Sequence, residues 1–239
     1  MATPMATNVS LRPGALFEPA AFEAFAAAFR GDIVQPGDPG YDDARASYNG
    51  MIDKRPALIA RCVDVADVIA TVGFARETSV DLAIRGGGHN GPGLGTVENG
   101  IVLDLGQMNS VRVDPVARTA RVEGGATWNG VDHATHAFGL AVPSGTVSST
   151  GVAGLTLGGG IGNLARRYGL TIDNLLAADV VLADGSMVTA SADEHPDLFW
   201  ALRGGGGNFG VVTSFLFRLR PVNTVIGGAS FWRMDDAED

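Results

Sequence analysis

Lysine and cysteine are almost absent from this sequence, and each shortage excludes a class of protein. Lys54 is the only lysine in a chain of net charge -9, so no basic stripe is present to neutralise a nucleic-acid backbone. Cys62 is the only cysteine, which excludes an intramolecular disulfide framework and a cysteine-rich zinc site and suits a reducing compartment. We therefore expect no nucleic-acid partner and no metal, and we interpret Cys62 as a small buried hydrophobe.

Long apolar runs are also missing. No run reaches the ~20 residues that a membrane-spanning helix needs. The first residues contain Glu18 and Glu23 and lack the basic lead and uninterrupted apolar core of a signal peptide. We expect no membrane partner and a cytoplasmic location. With 239 residues, 46% of them hydrophobic, the chain can bury a core in one large domain or two small ones.

Glycine is the residue in excess, with 34 copies that fall in clusters. Residues 86–91 and 205–210 both match the dinucleotide fingerprint G-x-G-x-x-G. The Rossmann fold needs these glycines to end a strand and open a helix. The segment GPGLGTVENG after the first match cannot form a helix, and the second match follows a helix and precedes a strand. We interpret both matches as false positives for that fold. The clusters either present backbone N–H groups to anionic oxygens or serve tight turns and close packing.

Apolar periodicity predicts an α+β organisation. A helix over 15–30 is followed by a compact βαβ unit, with a strand at 58–60, a helix over 65–77 capped by Asp64, and a strand at 80–84. The later predicted elements are strands near 101–105, 111–114 and 119–125, a helix over 128–138, a strand–turn–strand unit around 178–191, a helix after His195 and a long strand from Val211. Trp128, Phe199 and Trp200 are predicted to lie in the core.

Four segments, in order, resemble the FAD-binding domain of the vanillyl-alcohol oxidase superfamily. They are RGGGHN (85–90), PSGTVSSTGVAGLTLGGGIGNLARRYGLTIDNL (143–175), ADVVLADG (178–185) and DLFWALRGGGGNFGVVTSF (197–215). The branch that they resemble is that of the berberine-bridge-enzyme-like and 6-hydroxynicotine-oxidase-like flavoproteins. The resemblance implies a two-subdomain, PCMH-type α+β fold with FAD extended between the halves. The implied divisions are a helical extension at 1–31, FAD-binding subdomains at 32–95 and 96–222, and a tail at 223–239.

The resemblance also implies the residues that contact FAD. Around the pyrophosphate they are Arg85, Gly86, Gly87, Gly88, His89 and Asn90; along the ribityl chain and ring, Gly145, Thr150, Gly151, Gly154, Gly159, Gly160 and Gly162; and at the adenine end, Val211 and Val212. In the family the histidine of this loop bonds covalently to the 8α-methyl group of the flavin, which a neutral imidazole nitrogen can do as a nucleophile. Taken alone, His89 would be interpreted as a structural loop residue.

Three positions bear on how the family pattern applies. Val147 stands where bicovalent relatives carry a cysteine, so we expect one covalent link, through His89. Thr150 stands at the position thought to gate oxygen, and its small side chain favours an oxidase that uses O2 as electron acceptor. Leu155 stands where several relatives have a histidine near the flavin, which leaves the group that stabilises reduced flavin unassigned.

The function implied is that of an FAD-dependent oxidoreductase that removes a hydride from an alcohol, amine or sugar and passes the electrons to O2. The alternative is a non-catalytic flavin-binding module, or a truncated fragment that acts with a partner chain. In the family the substrate domain and the catalytic base follow the segment FRLRPV, so no catalytic residue is assignable and we expect exposed apolar surface and self-association. His133 and His136 are predicted to lie on a solvated helix face rather than in a metal site.

Overall fold

The computed structural model describes residues 10–11, 16–222, 224–228 and 231–233. These residues form two main β-sheets with helices packed on them and a small two-stranded sheet. The helices are α1 (Pro19–Ala28), α2 (Tyr41–Arg45), α3 (Val65–Thr78), α4 (Trp128–His136), α5 (Val152–Leu157), α6 (Ala165–Tyr168) and α7 (Pro196–Leu202). The strands are β1 (Asp32–Val34), β2 (Leu58–Arg61), β3 (Leu82–Arg85), β4 (Ile101–Asp104), β5 (Val111–Asp114), β6 (Thr119–Glu123), β7 (Leu140–Ala141), β8 (Leu175–Val181), β9 (Met187–Ser191), β10 (Val211–Arg218) and β11 (Arg220–Pro221). In the small sheet, β7 pairs with β11. The predicted α+β class is confirmed.

The first sheet contains the predicted βαβ unit. Its order is β1-β2-β4-β3, with β2, β4 and β3 parallel and β1 antiparallel to β2. Helix α3 begins as predicted after Asp64, whose carboxylate accepts a hydrogen bond from the Asp67 backbone N–H. Because β4 belongs to this sheet, the chain passes to the second sheet between Asp104 and Val111, later than the predicted division between residues 95 and 96.

The N-terminal helix is part of the first hydrophobic core. Phe22 and Phe25 of α1 are buried, and the Phe25 ring stacks on Phe74 of α3 with centroids 4.5 Å apart. The buried Asp67 carboxylate accepts backbone hydrogen bonds from Arg30, Gly31 and Val63, which ties the end of α1 to the start of α3. Interpreting 1–31 as an extension therefore understates its role. Residues 1–9 and 12–15 of that segment, and 223, 229–230 and 234–239 of the predicted tail, lie outside the described residues.

The second sheet is antiparallel, in the order β5-β6-β10-β8-β9. The predicted strand–turn–strand unit is β8 and β9, with Gly185 at φ 87° in the turn. Trp128 and Phe199 are buried as predicted, but Trp200 is 79% exposed, so its predicted core position is wrong. The seven-residue α7 buries the face that carries Phe199 and Leu202, and Trp200 lies off that face.

The seam between the two sheets includes backbone in direct contact. A methyl carbon added to Gly125, which closely follows β6 of the second sheet, would lie 1.7 Å from the carbonyl oxygen of Leu105, which follows β4 of the first sheet. Within the second sheet, a methyl carbon added to Gly124 would lie 2.4 Å from the Val212 carbonyl oxygen. No side chain fits at these separations, so the close-packing interpretation of glycine holds here. Adjacent residues of β10 enter different cores, since Val211 packs with the first-sheet cluster and Val212 with the second.

His133 and His136 are exposed on α4, as predicted. Within the described ranges, no group of three or more His, Cys, Asp or Glu side chains could hold a metal ion. None of the helices in the described part of the chain combines the length and apolar character needed to cross a membrane.

Cys62 should be chemically inert in the folded protein. Its thiol is fully buried, and burial raises its pKa to about 12. Because the thiolate is the reactive form, we expect no labelling by a disulfide reagent at pH 8, and one equivalent of labelling in denaturant. Glutathione, a free thiol, serves as the control that the reagent is active. Rapid labelling of the native protein would contradict the buried position of Cys62.

Candidate functional site

Two loops that are distant in sequence touch through their backbones. A methyl carbon added to Gly87 would lie 2.4 Å from the Gly151 nitrogen, and one added to Gly151 would lie 2.3 Å from the Gly87 nitrogen. Residues 148–152 are in turn held by the start of α4, through backbone hydrogen bonds from Trp128 to Thr150, from Asn129 to Ser148 and from Val152 to Ala126. The loop that follows β3 is therefore fixed against the segment that leads into α5.

His89 lies where these loops meet. Its Nε2 is 3.1 Å from the Ser149 hydroxyl, and its Nδ1 is 3.5 Å from the Thr150 hydroxyl. The Tyr48 ring stacks on the imidazole with centroids 4.0 Å apart and planes 17° apart. A neutral imidazole has one N–H donor and one acceptor nitrogen, and a hydroxyl can serve either. The side chain is half-buried, so the oriented ring stays within reach of a ligand.

The loop around His89 has free hydrogen-bond donors. Within the described part of the chain, the backbone N–H groups of residues 86–91 donate to no protein acceptor. The Asn90 carboxamide oxygen accepts from Leu94 and its carbonyl accepts from Gly93, so Asn90 holds the turn that follows. Successive free N–H groups on a glycine-rich loop make a concavity suited to anionic oxygens.

Arg85 places positive charge behind this loop. Its side chain is only 8% exposed, and its Nη2 donates to the Asp104 carboxylate at 2.8 Å. Its Nη1 is buried and has no hydrogen-bond partner among the described residues. The aliphatic stem runs under the loop, 3.8 Å and 3.7 Å from methyl carbons built on Gly88 and Gly95. A buried guanidinium with unmet donor capacity adds positive potential to the loop's free N–H groups, so these residues fit an anionic group such as a diphosphate.

The second glycine cluster divides into two kinds. Methyl carbons added to Gly145, Gly160 and Gly162 would lie 2.4, 2.3 and 1.8 Å from the Leu155 side chain, the Thr171 hydroxyl and the Ser144 carbonyl oxygen, respectively. These three glycines are therefore needed for close packing. Gly154 has nothing within 4 Å of an added methyl carbon, and Gly159 has only Leu170, at 3.9 Å. Gly154 is exposed and leaves open space that a ligand could use, whereas Gly159 is buried and would contact Leu170 through an added carbon.

Val211 and Val212 serve packing through their buried side chains. The backbone nevertheless connects this strand to the His89 loop through Gly124. A methyl carbon added to Gly124 would meet the Val212 carbonyl oxygen, and one added to Gly86 would meet the Gly124 carbonyl oxygen. The predicted residues thus form one contiguous arrangement from Gly86 to Val212. The predicted contacts of these valines with adenine stay a prediction.

Tyr48 and Ser149 are the site residues that the sequence reasoning missed. Ser149 lies inside a quoted motif, so its neighbour Thr150 could have pointed to it. Tyr48 has no such signal, because its partner is in a different loop. Exposed apolar side chains also occur on the site's segments, namely Tyr48, Met51, Leu94, Val147 and Ile161. Self-association, or binding of a partner chain, at such exposed apolar surface stays a prediction.

Comparisons with known proteins agree on a family. A model described as an FAD binding domain matches residues 56–191. The FAD-linked oxidoreductase YgaK of Bacillus subtilis (strain 168) is 39% identical over 214 residues, covering 87% of this chain and 48% of the relative. The (R)-6-hydroxynicotine oxidase of Paenarthrobacter nicotinovorans is 42% identical over 186 residues, covering 78% of this chain and 41% of the relative.

Among solved structures, the xylooligosaccharide oxidase of Myceliophthora thermophila C1 superposes with a TM-score of 0.80 at 36% identity, covering 84% of this chain and 43% of that protein. The chain spans less than half the length of these relatives.

Proposed function

The chain belongs to the FAD binding domain family, and from this premise we propose that it is the flavin domain of an FAD-dependent oxidoreductase. The proposed reaction removes a hydride from an alcohol, amine or sugar and passes the electrons to O2. Relatives named for a hydroxynicotine and for a xylooligosaccharide support small-molecule oxidation. The observation that carries the proposal is the placing of His89 between two hydroxyls on a loop with free N–H groups. The cytoplasmic location predicted from composition stays a prediction.

The proposed binding mode assigns a part to each group of residues. When bound, FAD supplies the two-electron acceptor for the reaction. The free N–H groups of residues 86–91 hold its diphosphate, and the Arg85 charge behind them offsets the negative charge. Gly154 leaves room for the ribityl chain and ring. Gly145, Gly160 and Gly162 shape the neighbouring loops through close packing, and the contacts of these glycines and of Gly159 with the cofactor stay a prediction.

The proposed covalent link is a single one, through His89. The Ser149 and Thr150 hydroxyls hold the ring so that one nitrogen keeps its lone pair, which supplies the electrons of the new carbon–nitrogen bond. No thiol is available for a second link, because Val147 occupies the family's cysteine position and Cys62 is buried in the first core.

The use of O2 is proposed from the small side chain of Thr150, and no residue of this chain is assigned as the catalytic base. A second candidate function is a flavin-binding module that acts with a partner chain.

The test is flavin uptake followed by reduction. Protein produced with FAD available should be yellow, and the colour should stay with the protein through acid precipitation. Anaerobic addition of alcohols, amines and sugars should bleach the flavin with at least one of them, and air should restore the colour. Colourless protein that takes up no FAD would contradict the proposal. Bound flavin that no substrate bleaches would favour the module instead.

A further inference from the structure

We propose that Tyr48 is a positioning residue that holds the His89 imidazole for its bond to the flavin, a role that rests on the proposed covalent attachment. The two rings are nearly parallel, 17° apart, with centroids 4.0 Å apart. The Tyr48 side chain is 70% exposed, so it contributes little to either core. Among the described residues, the aromatic ring that the Tyr48 ring stacks on is the imidazole of His89.

The backbone fixes this stack from both sides of His89. The Tyr48 N–H donates to the Gly88 carbonyl at 3.2 Å, and the Asn49 carboxamide donates to the Gly91 carbonyl at 2.8 Å. The segment therefore bonds to the residue before His89 and to a residue shortly after it. Ile52 continues the contact, because its side chain lies 2.7 Å from a methyl carbon built on Gly93. Tyr48 and the His89 loop form one unit.

The stack adds to the restraint that the two hydroxyls place on the imidazole. Rotation of a histidine ring about its Cβ–Cγ bond is broad and nearly two-fold. The Ser149 hydroxyl, 3.1 Å from Nε2, belongs to an exposed side chain, and the Thr150 hydroxyl is 3.5 Å from Nδ1, at the limit of a hydrogen bond. A flat ring against one face of the imidazole sets the orientation of its plane. A reacting nitrogen must lie within about 3–3.5 Å of its target and be aligned with it, so this restraint acts on the rate of bond formation.

The proposed bond joins the flavin 8α-methyl carbon to an imidazole nitrogen of His89. One hydrogen of the flavin 8α-methyl group and the imidazole N–H hydrogen are replaced by a carbon–nitrogen bond. Those two hydrogens, with their two electrons, reduce the flavin ring, and O2 reoxidises it to give hydrogen peroxide. Tyr48 takes no part in these transfers. Its hydroxyl makes no hydrogen bond within the described residues, so the ring alone should suffice.

The experiment follows attachment over time. Full-length protein made in a riboflavin-starved host is mixed with FAD, and acid-precipitable flavin is measured for wild type, Tyr48→Phe, Tyr48→Leu, Tyr48→Ala and, as a control of similar exposure outside the site, Trp200→Ala. We expect Tyr48→Phe and the control to match wild type, and the Leu and Ala variants to attach at least about tenfold more slowly, since small misplacements can cost about 100-fold. Noncovalent FAD affinity and thermal stability should change little in every variant.

Four outcomes would overturn the role. Attachment by Tyr48→Ala at the wild-type rate would exclude positioning. A loss of FAD affinity matching the loss of rate would make Tyr48 a binding residue instead. Slow flavin attachment by Tyr48→Phe would show that the Tyr48 hydroxyl, rather than the ring, positions His89. If wild type itself forms no acid-stable flavin, both the proposed attachment and the role of Tyr48 are wrong. If wild type attaches flavin and the Tyr48 variants attach it at the same rate, only the role of Tyr48 is wrong.

Discussion

Replacing His89 by alanine should abolish acid-stable flavin completely while leaving noncovalent FAD binding. The imidazole supplies the nitrogen of the proposed bond, and alanine offers no nucleophile. The diphosphate would still be held by backbone N–H groups of residues 86–91, which the substitution does not remove. The measurement is flavin absorbance in the acid pellet and in the supernatant, with about all of it expected in the supernatant.

The matched control is His133→Ala, because His133 is a histidine on the exposed face of α4, outside the site. It should retain wild-type acid-stable flavin. Acid-stable flavin in His89→Ala would show that another side chain forms the link. Loss of all FAD binding in that variant would instead assign His89 to binding.

Gly87→Ala should damage the site severely, because it forces apart the two loops that meet at His89. The new carbon would lie 2.4 Å from the Gly151 nitrogen and 2.5 Å from its Cα, and both are backbone atoms that cannot rotate away. The loops must separate, which moves His89 from Ser149 and Thr150. Overpacking of this kind costs about 1–3 kcal/mol, and we expect the upper end because backbone rather than a side chain must shift. If the bound state bears about 3 kcal/mol of this cost, FAD affinity should fall about 100-fold, because each 1.4 kcal/mol is a factor of about ten.

Gly91→Ala is the control in the same loop, since nothing lies within 4 Å of its added methyl carbon and its φ is not positive. It should bind FAD within about threefold of wild type, because surface changes away from special features cost within about 0.5 kcal/mol. Thermal unfolding and FAD titration of both variants provide the measurement. Wild-type behaviour of Gly87→Ala would mean that the two loops are not in contact.

Elements with a local signal could be predicted from the sequence. The Asp64 cap and the apolar spacing behind it predicted α3, and the Asp-Gly turn predicted the β8–β9 pair; both are confirmed. The glycine clusters could not be sorted in advance. Gly162 faces a carbonyl oxygen at a separation no side chain allows, whereas Gly154 faces open space, and only the folded arrangement distinguishes them.

The features that could not be predicted depend on distant contacts. Trp200 is exposed because a short helix buries one face, which residue type alone does not reveal. Strand β4 joins the first sheet by pairing with β2 and β3, a choice of partner that no local pattern encodes. Tyr48 meets His89 across a loop-to-loop contact. The resemblance implies a role for the histidine, but the aromatic ring that stacks on it belongs to a loop distant in sequence, which no local pattern indicates.

The neighbouring positions of Val211 and Val212 have a consequence for cooperativity. Strand β10 contributes Val211 to the first hydrophobic core and Val212, Phe215 and Phe217 to the second, and Val181 at the end of β8 joins the first core as well. Neither core can melt without withdrawing side chains from this pair of strands, so the halves should unfold together in a single transition. The loops that meet at His89 would then share the global stability of the chain rather than open as an independent unit.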